Sequence, residues 1–453
     1  MDQIQIKPLE ILISFSIILS PLYVVRLTLY GLPTTLLEII LLTMFAVWFW
    51  QRGSIIPSVS FLIRAPARIK VLERSERFLL WPIVILVLGV VIAAIISPDQ
   101  RGALGILKAY FLEPILFFYL LIDSRLLQKG SDPFSGSDPM LDRRRTIVSS
   151  LIITGLYLSI WGIAQVVLGF GVVAPQEQLA GRAHGPFNSG NALALFLVPV
   201  FLLALGRLFA FLRGPLANTQ GVPLKIVWKA GSIIIILVGT LLTKSQGGLI
   251  GLVGAVSLTG LIWLIGKTRW HLWLKYLWLV IPIYLIIVIG GLTQISRFTP
   301  KNNNPWLRPL NDTLTPRLCL WEGAVNLLKD RPLLGAGLNG FKSLYSQKYF
   351  TCDAEALQYP HNFILNFGTE TGILGVLGIF GILAVFLRQQ SRALIRTTHP
   401  GKMFLVAGLI AIVFFWLIHG LVDVPYFKND LSLQFWIIMA LGFLTNSTST
   451  ETV

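Results

Sequence analysis

The sequence has few charged residues, few acidic ones and only two cysteines. Asp, Glu, Lys and Arg together make up 13% of the 453 residues, about half the share that is usual in soluble proteins. Because 55% of the residues are apolar and the mean hydropathy is +0.74, a soluble globular protein is excluded. The apolar residues form continuous runs instead of alternating with polar ones, which excludes a membrane β-barrel.

The apolar runs are long enough for helices that cross the hydrocarbon core of a bilayer, which takes roughly 20 residues. We therefore expect an all-α polytopic membrane protein with about twelve transmembrane helices and one integral membrane domain over residues 1–453. The predicted spans are 9–30, 34–50, 78–97, 103–122, 146–170, 189–212, 230–243, 247–266, 276–293, 362–387, 403–422 and 431–446. No cleavage pattern of small residues follows the first span, so we expect it to be retained as a helix.

Lys and Arg residues are concentrated in alternate loops between the predicted spans. The basic loops are 52–77, 125–145, 207–229, 267–275 and 388–402. By the positive-inside rule these loops and both termini are expected to be cytoplasmic. Topology thus accounts for most of the formal net charge of +16, and no nucleic-acid partner is expected.

One long polar stretch, residues 294–361, interrupts the apolar runs. On the predicted topology it is a periplasmic (exoplasmic) loop, and we expect it to carry the active site. It also contains both cysteines, Cys319 and Cys352, on the side of the membrane where disulfides persist. A bridge between them is the first interpretation, and two unpaired thiols are the alternative.

Within this loop an amphipathic helix is predicted over 317–330, with Thr315 as its cap and Pro316 at its first position. Arg317 would project from the apolar face of this helix and lie in its first turn, where the helix dipole disfavours a cation. Such a placement favours an anion-binding role for Arg317. The alternative is an arginine that extends to lipid headgroups.

His361 ends the loop at the mouth of the tenth predicted span. A histidine at this position can act as a general base near neutral pH, although many histidines are only hydrogen-bonded. Asn362, Asn366 and Glu370 continue from it at i, i+4, i+8 as a polar stripe that enters the span. His419 and Asp423 repeat the spacing at the outer end of the eleventh span, where the carboxylate could hold the imidazole.

Two further polar segments are predicted at the same membrane surface. One is the loop Gly181-Arg182-Ala183-His184-Gly185-Pro186-Phe187-Asn188, which leads to Asn191, and the other is the turn Thr243-Lys244-Ser245-Gln246-Gly247-Gly248 between the seventh and eighth spans. Each is weak evidence by itself, because a lysine in a turn is usually only solvated.

Taken together, these segments resemble the bacterial O-antigen ligase and O-antigen polymerase superfamily. The likeness is carried by Arg317-x3-Trp321-x2-Ala324, Pro332-Leu333-Leu334-Gly335-Ala336-Gly337, His361-Asn362-x2-Leu365-x4-Glu370-x-Gly372, the Gly181–Asn188 loop and His419-x3-Asp423-x-Pro425. The resemblance implies a metal-independent, inverting glycosyltransferase with a fold like the class C membrane enzymes. It would transfer a glycan from undecaprenyl diphosphate to an acceptor hydroxyl outside the cytoplasmic membrane, and no cofactor or metal is implied.

The resemblance also implies roles for individual residues. His361 would be the base and Arg317 would bind the diphosphate, as catalytic residues. The substrate-binding candidates are Arg182, Lys244, Gln246, Asn362, Glu370, His419 and Asp423. In many ligases an arginine stands at the position of Gln246, and Lys244 or Arg182 could supply the missing charge.

The expected partners are an undecaprenyl-diphosphate-linked glycan donor, lipid A core or another glycan acceptor, and membrane lipids. Ligase is preferred, and a polymerase of the same superfamily is the first alternative. A bicarbonate-type transporter is the second, although transporters favour sites at the bilayer midplane and the polar clusters here gather at one surface.

Overall fold

The computed structural model describes residues 8–29, 32–52, 77–123, 139–212, 222–266, 276–292, 308–350 and 357–447. Its helices are α1 (Pro8–Ile18), α2 (Leu36–Arg52), α3 (Arg77–Ile95), α4 (Gln100–Ile106), α5 (Glu113–Leu121), α6 (Pro139–Leu168), α7 (Pro175–Leu179), α8 (Gly190–Leu212), α9 (Val222–Leu242), α10 (Gln246–Gly266), α11 (Val280–Leu292), α12 (Arg308–Asp330), α13 (Phe341–Leu344), α14 (Phe363–Arg396), α15 (Pro400–His419) and α16 (Asn429–Ser447). The described residues also include a 3₁₀ turn (Ser20–Val24), two π-helical segments (Leu107–Leu112 and Tyr345–Tyr349) and the strands β1 (Arg26–Leu29) and β2 (Leu32–Thr35).

Six helices in the described ranges are long and apolar enough to cross a membrane. They are Gln100–Leu121, Leu141–Leu168, Gly190–Leu212, Leu224–Leu242, Phe363–Arg396 and Pro400–His419. Shorter apolar helices lie at Pro8–Ile18, Leu36–Trp50, Leu79–Ile95, Gln246–Leu261 and Tyr276–Gly290. The structure thus confirms an all-α polytopic membrane protein, and the count of about twelve spans stays a prediction.

The first predicted span, 9–30, is wrong, because helix α1 ends at Ile18. The cause is Pro21, which has no N–H to donate to the carbonyl of Ile17 as an α-helix requires. The hydroxyl of Ser20 donates to that carbonyl instead, at 2.9 Å. A helix of 11 residues is about 16 Å long, roughly half the thickness of the hydrocarbon core.

An antiparallel ribbon follows the 3₁₀ turn. Strands β1 and β2 pair with Arg26 opposite Thr35 and Leu29 opposite Leu32. The ribbon places Arg26 on an exposed surface, in a segment where the sequence predicted a continuous helix.

The helix predicted over 317–330 is longer than expected. Helix α12 begins at Arg308, and Pro316 lies inside it instead of at its first position. A proline inside a helix loses its own N–H bond and crowds the carbonyl four residues earlier, which can kink the helix without ending it, and sequence alone did not separate this case from a proline at the first position. Arg317 is therefore about two turns from the helix start, where the free N–H groups at the N-terminus cannot help it bind an anion.

Helix α14 is interrupted at Gly372, whose φ of 65° and ψ of −168° are not helical. The chain of residues 331–340 docks at this point, and the N–H of Ile373 donates to the carbonyl of Leu333 at 3.1 Å. A Cβ atom on Gly372 would lie 2.1 Å from the same carbonyl oxygen, so only glycine fits here. The N–H of Ala336 donates to the carbonyl of Thr369 at 2.6 Å and fixes the other side of the docked segment.

Three helix ends meet at one level of the molecule. The N–H of Phe363, at the start of α14, donates to the carbonyl of Gly420 just beyond α15, at 2.7 Å. Helix α15 also packs along α10, and Gly247 in the first turn of α10 lies against His419, the last residue of α15. This meeting point positions the candidate site.

Candidate active site

His361 and Asp423 form the centre of the site. The Nδ1 atom of His361 lies 3.3 Å from Oδ1 of Asp423, and 30% of the His361 side chain is exposed. His361 has a φ of 50°, a conformation that costs energy in a residue other than glycine and that is enriched at functional sites. The His361–Asp423 pair, called the dyad below, therefore combines an oriented imidazole with access from outside the protein.

The charge state of Asp423 suits the orienting role. Burial raises the pKa of the Asp423 carboxyl, but the hydrogen bond to His361 and the nearby His361, His419 and Lys428 outweigh it and hold the pKa below its ordinary value. An ionised Asp423 favours the tautomer of His361 that carries its proton on Nδ1. The Nε2 atom is then able to accept a proton from a bound hydroxyl.

Asn362 holds this geometry in place. Its side-chain oxygen caps α14 by accepting from the N–H groups of Ile364 and Leu365, at 3.1 Å each. Its side-chain nitrogen donates to the carbonyl of Leu421 at 3.0 Å, which ties the start of α14 to the segment that carries Asp423. The structure thus places Asn362, predicted to bind substrate, in a positioning role beside the dyad.

His419 lies next to the dyad but is not held as the i, i+4 spacing predicted. The Asp423 carboxylate contacts His361, whereas the buried Nδ1 of His419 has no hydrogen-bond partner among the described residues. The spacing is met by the backbone instead, since the N–H of Asp423 donates to the carbonyl of His419 at 3.0 Å. The Asp423 carboxylate thus bonds to His361 and not to the His419 ring.

Arg317 reaches the same place from helix α12. It is half-buried, and it lies close enough to His419 for the two charges to interact, as does Asp423. The structure therefore brings Arg317, His361, His419 and Asp423 into one region. Arg317 adds to this region a fixed positive charge, which a developing anion requires.

The structure describes only one of the two cysteines that we predicted to form a disulfide. Cys319, two residues beyond Arg317, is 2% exposed and disulfide-bonded. Cys352 lies outside the described residues, so its pairing with Cys319 stays a prediction.

Arg182 lies in a different environment. Its guanidinium donates to the carbonyl of Thr243 at 2.9 Å and to Oδ1 of Asn191 at 2.9 Å, and it pairs with Glu177 at 3.1 Å. These contacts join the loop before α8 to the turn before α10. The protein itself thus uses the guanidinium that we predicted to bind substrate.

Lys244 and Gln246 lie in the turn that leads into α10. The amino group of Lys244 donates to the carbonyl of Ala180 at 3.1 Å. Gln246 is exposed at the first position of α10, directly before the glycine that touches His419. Of these two residues, Gln246 is the one that adjoins the glycine in contact with His419.

Glu370 is buried away from solvent, and its carboxylate accepts from the backbone N–H groups of Asn339 and Phe341. It holds the turn that leads into α13. One turn earlier on α14, Asn366 is also fully buried, and its amide has no hydrogen-bond partner among the described residues. The polar stripe predicted along α14 therefore divides into a helix cap, an unpartnered amide and a carboxylate that supports a loop.

Gly247 was predicted as part of the polar turn 243–248, but its contact with His419 was not predicted. A Cβ atom there would lie 2.7 Å from Cδ2 of His419. Gly251 and Gly254 extend the contact, since their Cβ atoms would lie 2.9 Å from Phe415 and 2.6 Å from Ile418. The available signal was this spacing of glycines within an apolar run, which is typical of closely packed membrane helices.

The described residues contain no group of three or more His, Cys, Asp or Glu side chains that could hold a metal ion. Two cations lie near the dyad region. Arg317 is close enough to His419, and Lys428 is close enough to Asp423, for their charges to interact.

Residues 231–380 match the family model described as O-Antigen ligase, a segment that includes Gln246, Arg317 and His361 and stops before His419. No curated protein matches the chain. With the apolar helices described above, this match over about a third of the chain supports an O-antigen ligase or polymerase superfamily protein that crosses the bacterial inner membrane several times.

Proposed function

We propose that the protein transfers a glycan from undecaprenyl diphosphate to an acceptor hydroxyl at the outer face of the cytoplasmic membrane, as an O-antigen ligase does. The observation that supports this most is the contact between His361 and Asp423 in the same region as the Arg317 charge. A base and a cation in one region are what a transfer from a diphosphate leaving group requires.

The reaction follows from this arrangement. Nε2 of His361 accepts the proton of the acceptor hydroxyl, and the hydroxyl oxygen forms a bond to the anomeric carbon of the donor. The bond from that carbon to the diphosphate oxygen breaks, and the oxygen leaves with the electron pair. Arg317 stabilises the negative charge that develops on the diphosphate, so the step needs no metal ion. Attack from the face opposite the leaving group inverts the anomeric centre.

The membrane placement is part of the proposal. The 294–361 segment would face the periplasm and both termini the cytoplasm, as the distribution of Lys and Arg predicts. A fold of the class C glycosyltransferase type accommodates a lipid-linked donor in the outer leaflet and a glycan acceptor, lipid A core or another glycan, in the periplasm. The match to the O-antigen ligase family lends no support to the transporter alternative.

Two variants test the catalytic roles in a strain that lacks the chromosomal gene. We expect His361→Ala and Arg317→Ala each to abolish the surface glycan seen on gels, because general base catalysis alone contributes about 10²–10⁴-fold in rate. The matched controls are His399→Asn, at the opposite end of α15 where an asparagine can still cap the helix, and Arg331→Ala, an exposed arginine of the same loop.

Wild-type surface glycan in the His361→Ala and Arg317→Ala strains, with both proteins present in the membrane, would contradict the proposal. The lipid fraction of the same strains separates the two activities. Accumulated lipid-linked polymer indicates a ligase, and accumulated single repeat units indicate a polymerase.

A further inference from the structure

A second polar cluster lies next to the dyad. Tyr359 precedes His361 by two residues, and its hydroxyl is close enough to that of Tyr110 for the two groups to interact. Tyr23 and Asp430 are close enough to Tyr110 to interact with it electrostatically. All three tyrosines are half-buried. We call Tyr23, Tyr110, Tyr359 and Asp430 the tyrosine–aspartate cluster.

Asp430 is the unusual member of this cluster. It is 1% exposed, and neither of its carboxylate oxygens forms a hydrogen bond of ordinary geometry with any described residue, although the N–H groups of Asp430 and Leu431 are close by. Burial raises the pKa of the Asp430 carboxyl to about 7, because a charged group without partners is costly in the protein interior. Hydroxyl groups of a ligand would supply the missing donors.

The fold builds the cluster from elements that pack around Phe427. The ring centroids of Tyr110 and Tyr359 lie 6.3 Å and 6.1 Å from that of Phe427. Tyr110 belongs to the π-helical segment Leu107–Leu112, and the hydroxyl of Tyr426 donates to its carbonyl at 2.9 Å. Since π-helical segments occur frequently at functional sites, this irregularity supports a binding role.

The chemistry of the cluster separates it from the Arg317 side of the site. A carboxylate and neutral tyrosines accept hydrogen bonds from hydroxyl groups, which a saccharide has and a diphosphate lacks. Burial and the nearby Tyr110 and Glu370 raise the pKa of Tyr359 well above its ordinary value, so this hydroxyl stays neutral. Two cations also approach the cluster. Arg26 is exposed, and Lys428 is half-buried.

We propose that the tyrosine–aspartate cluster binds the acceptor saccharide and presents its hydroxyl to His361. Asp430 would accept hydrogen bonds from two saccharide hydroxyls, and the tyrosines would bind further hydroxyls and ring faces. The position of Lys428, close to both Asp423 and Asp430, makes the cluster continuous with the dyad. The inference rests on the proposed function, since it assigns the acceptor half of that same site.

Binding to the full-length protein in detergent tests this assignment with two probes. The first probe is the saccharide released by mild acid from the surface glycan of the source strain, and the second is inorganic diphosphate. We expect Asp430→Asn to weaken saccharide binding about tenfold, and Tyr110→Phe or Tyr359→Phe about threefold. Diphosphate binding should be unchanged in all three, and Arg317→Ala should give the reverse pattern.

Tyr284→Phe is the matched control, since its hydroxyl donates to the carbonyl of Leu417 away from the cluster. Unchanged saccharide affinity in the Asp430 and both tyrosine variants, or no measurable saccharide binding by the wild type, would overturn the inference. Thermal unfolding identifies an Asp430→Asn protein that fails to fold, and the two tyrosine variants then decide. Wild-type glycan transfer by His361→Ala would instead overturn the proposed function, so the two failures are distinguishable.

Discussion

Arg182 and His361 were both predicted as site residues, yet their surroundings differ in one decisive respect. The guanidinium of Arg182 is in contact with Thr243, Asn191 and Glu177, so its donors are used within the protein. His361 has one ring nitrogen on Asp423, and the described residues offer its other nitrogen no partner. A polar group saturated by its own chain stabilises the fold, whereas one with an unused acceptor at an accessible position is able to react with a ligand.

The largest effect should come from removing the carboxylate that orients His361. Asp423→Asn replaces an acceptor with an amide that can donate to Nδ1, which favours the tautomer unable to accept a proton on Nε2. We expect the rate of glycan transfer in isolated membranes, normalised to the amount of protein, to fall about 10²-fold or more.

Asp142→Asn is the control for this change. Asp142 is exposed and pairs with Arg145 at 3.6 Å, far from the dyad in sequence, so the rate should stay within about twofold. If Asp423→Asn retained more than half of the wild-type rate, the distinction between an oriented His361 and a saturated Arg182 would fail.

The next effect concerns the helix contact behind the dyad. In Gly247→Ala the added Cβ would come within 2.7 Å of the His419 ring and 2.9 Å of Val422. The end of α15 and the segment carrying Asp423 must then shift. Overpacking of this kind costs about 1–3 kcal/mol, and we expect a lower melting temperature together with about a tenfold lower transfer rate.

Gly260→Ala, on the same helix, provides the comparison, since a Cβ there meets nothing within 4 Å. Its transfer rate should match that of the wild type, and its melting temperature should be equal or slightly higher, because alanine favours a helix interior over glycine by about 0.8–1.0 kcal/mol. Equal behaviour of the two alanine variants would show that the contact between Gly247 and His419 does not position the dyad.

Arg182→Ala should separate stability from catalysis. Removing the guanidinium leaves the Thr243 carbonyl and Asn191 without a donor, which costs about 1–3 kcal/mol. We therefore expect a lower melting temperature, while transfer per folded molecule at saturating donor stays within about threefold of the wild type. A folded Arg182→Ala protein with no activity would place Arg182 in the substrate site and abolish the contrast with His361.

Features set by local composition were predicted from the sequence, whereas features that depend on particular contacts were not. Apolar runs predicted most of the described helices because a bilayer imposes length and composition on each segment independently. The errors fell at Pro21 and Pro316, where the outcome depended on one hydrogen bond. The hydroxyl of Ser20 replaced the bond lost at Pro21 and ended the helix, whereas α12 continued through Pro316.

The sequence predicted which residues lie together in the candidate site, but not which of them contact each other. Arg317, His361, His419 and Asp423 come together as expected, yet the i, i+4 rule assigned Asp423 to His419 when its partner is His361. That contact joins segments 62 residues apart and depends on how α14 and α15 end, which local spacing does not report. Local spacing also does not predict the contacts of Arg182, because they depend on the position of the turn before α10.

The smallest expected effect concerns Gln246, which stands where many ligases have an arginine. Gln246→Arg would restore a charge at the start of α10, next to the glycine that touches His419. A charge-assisted contact with the diphosphate is worth about 1.5–3 kcal/mol, of which a neutral hydrogen bond from glutamine already provides about 0.5–1.5 kcal/mol, and the helix dipole opposes a cation in the first turn by about 0.3–1 kcal/mol. The central values leave a net gain of about 0.6 kcal/mol, which should lower the KM for the lipid-linked donor about threefold, without changing kcat.

Lys244→Ala is the control, because its amino group is already bound to the carbonyl of Ala180 and its removal should leave the donor KM unchanged. An unchanged donor KM in Gln246→Arg would show that this turn does not reach the diphosphate, and the leaving group would then depend on Arg317. A lower KM in Gln246→Arg with no effect of Lys244→Ala would instead extend the contrast between open and saturated groups to two residues of a single turn.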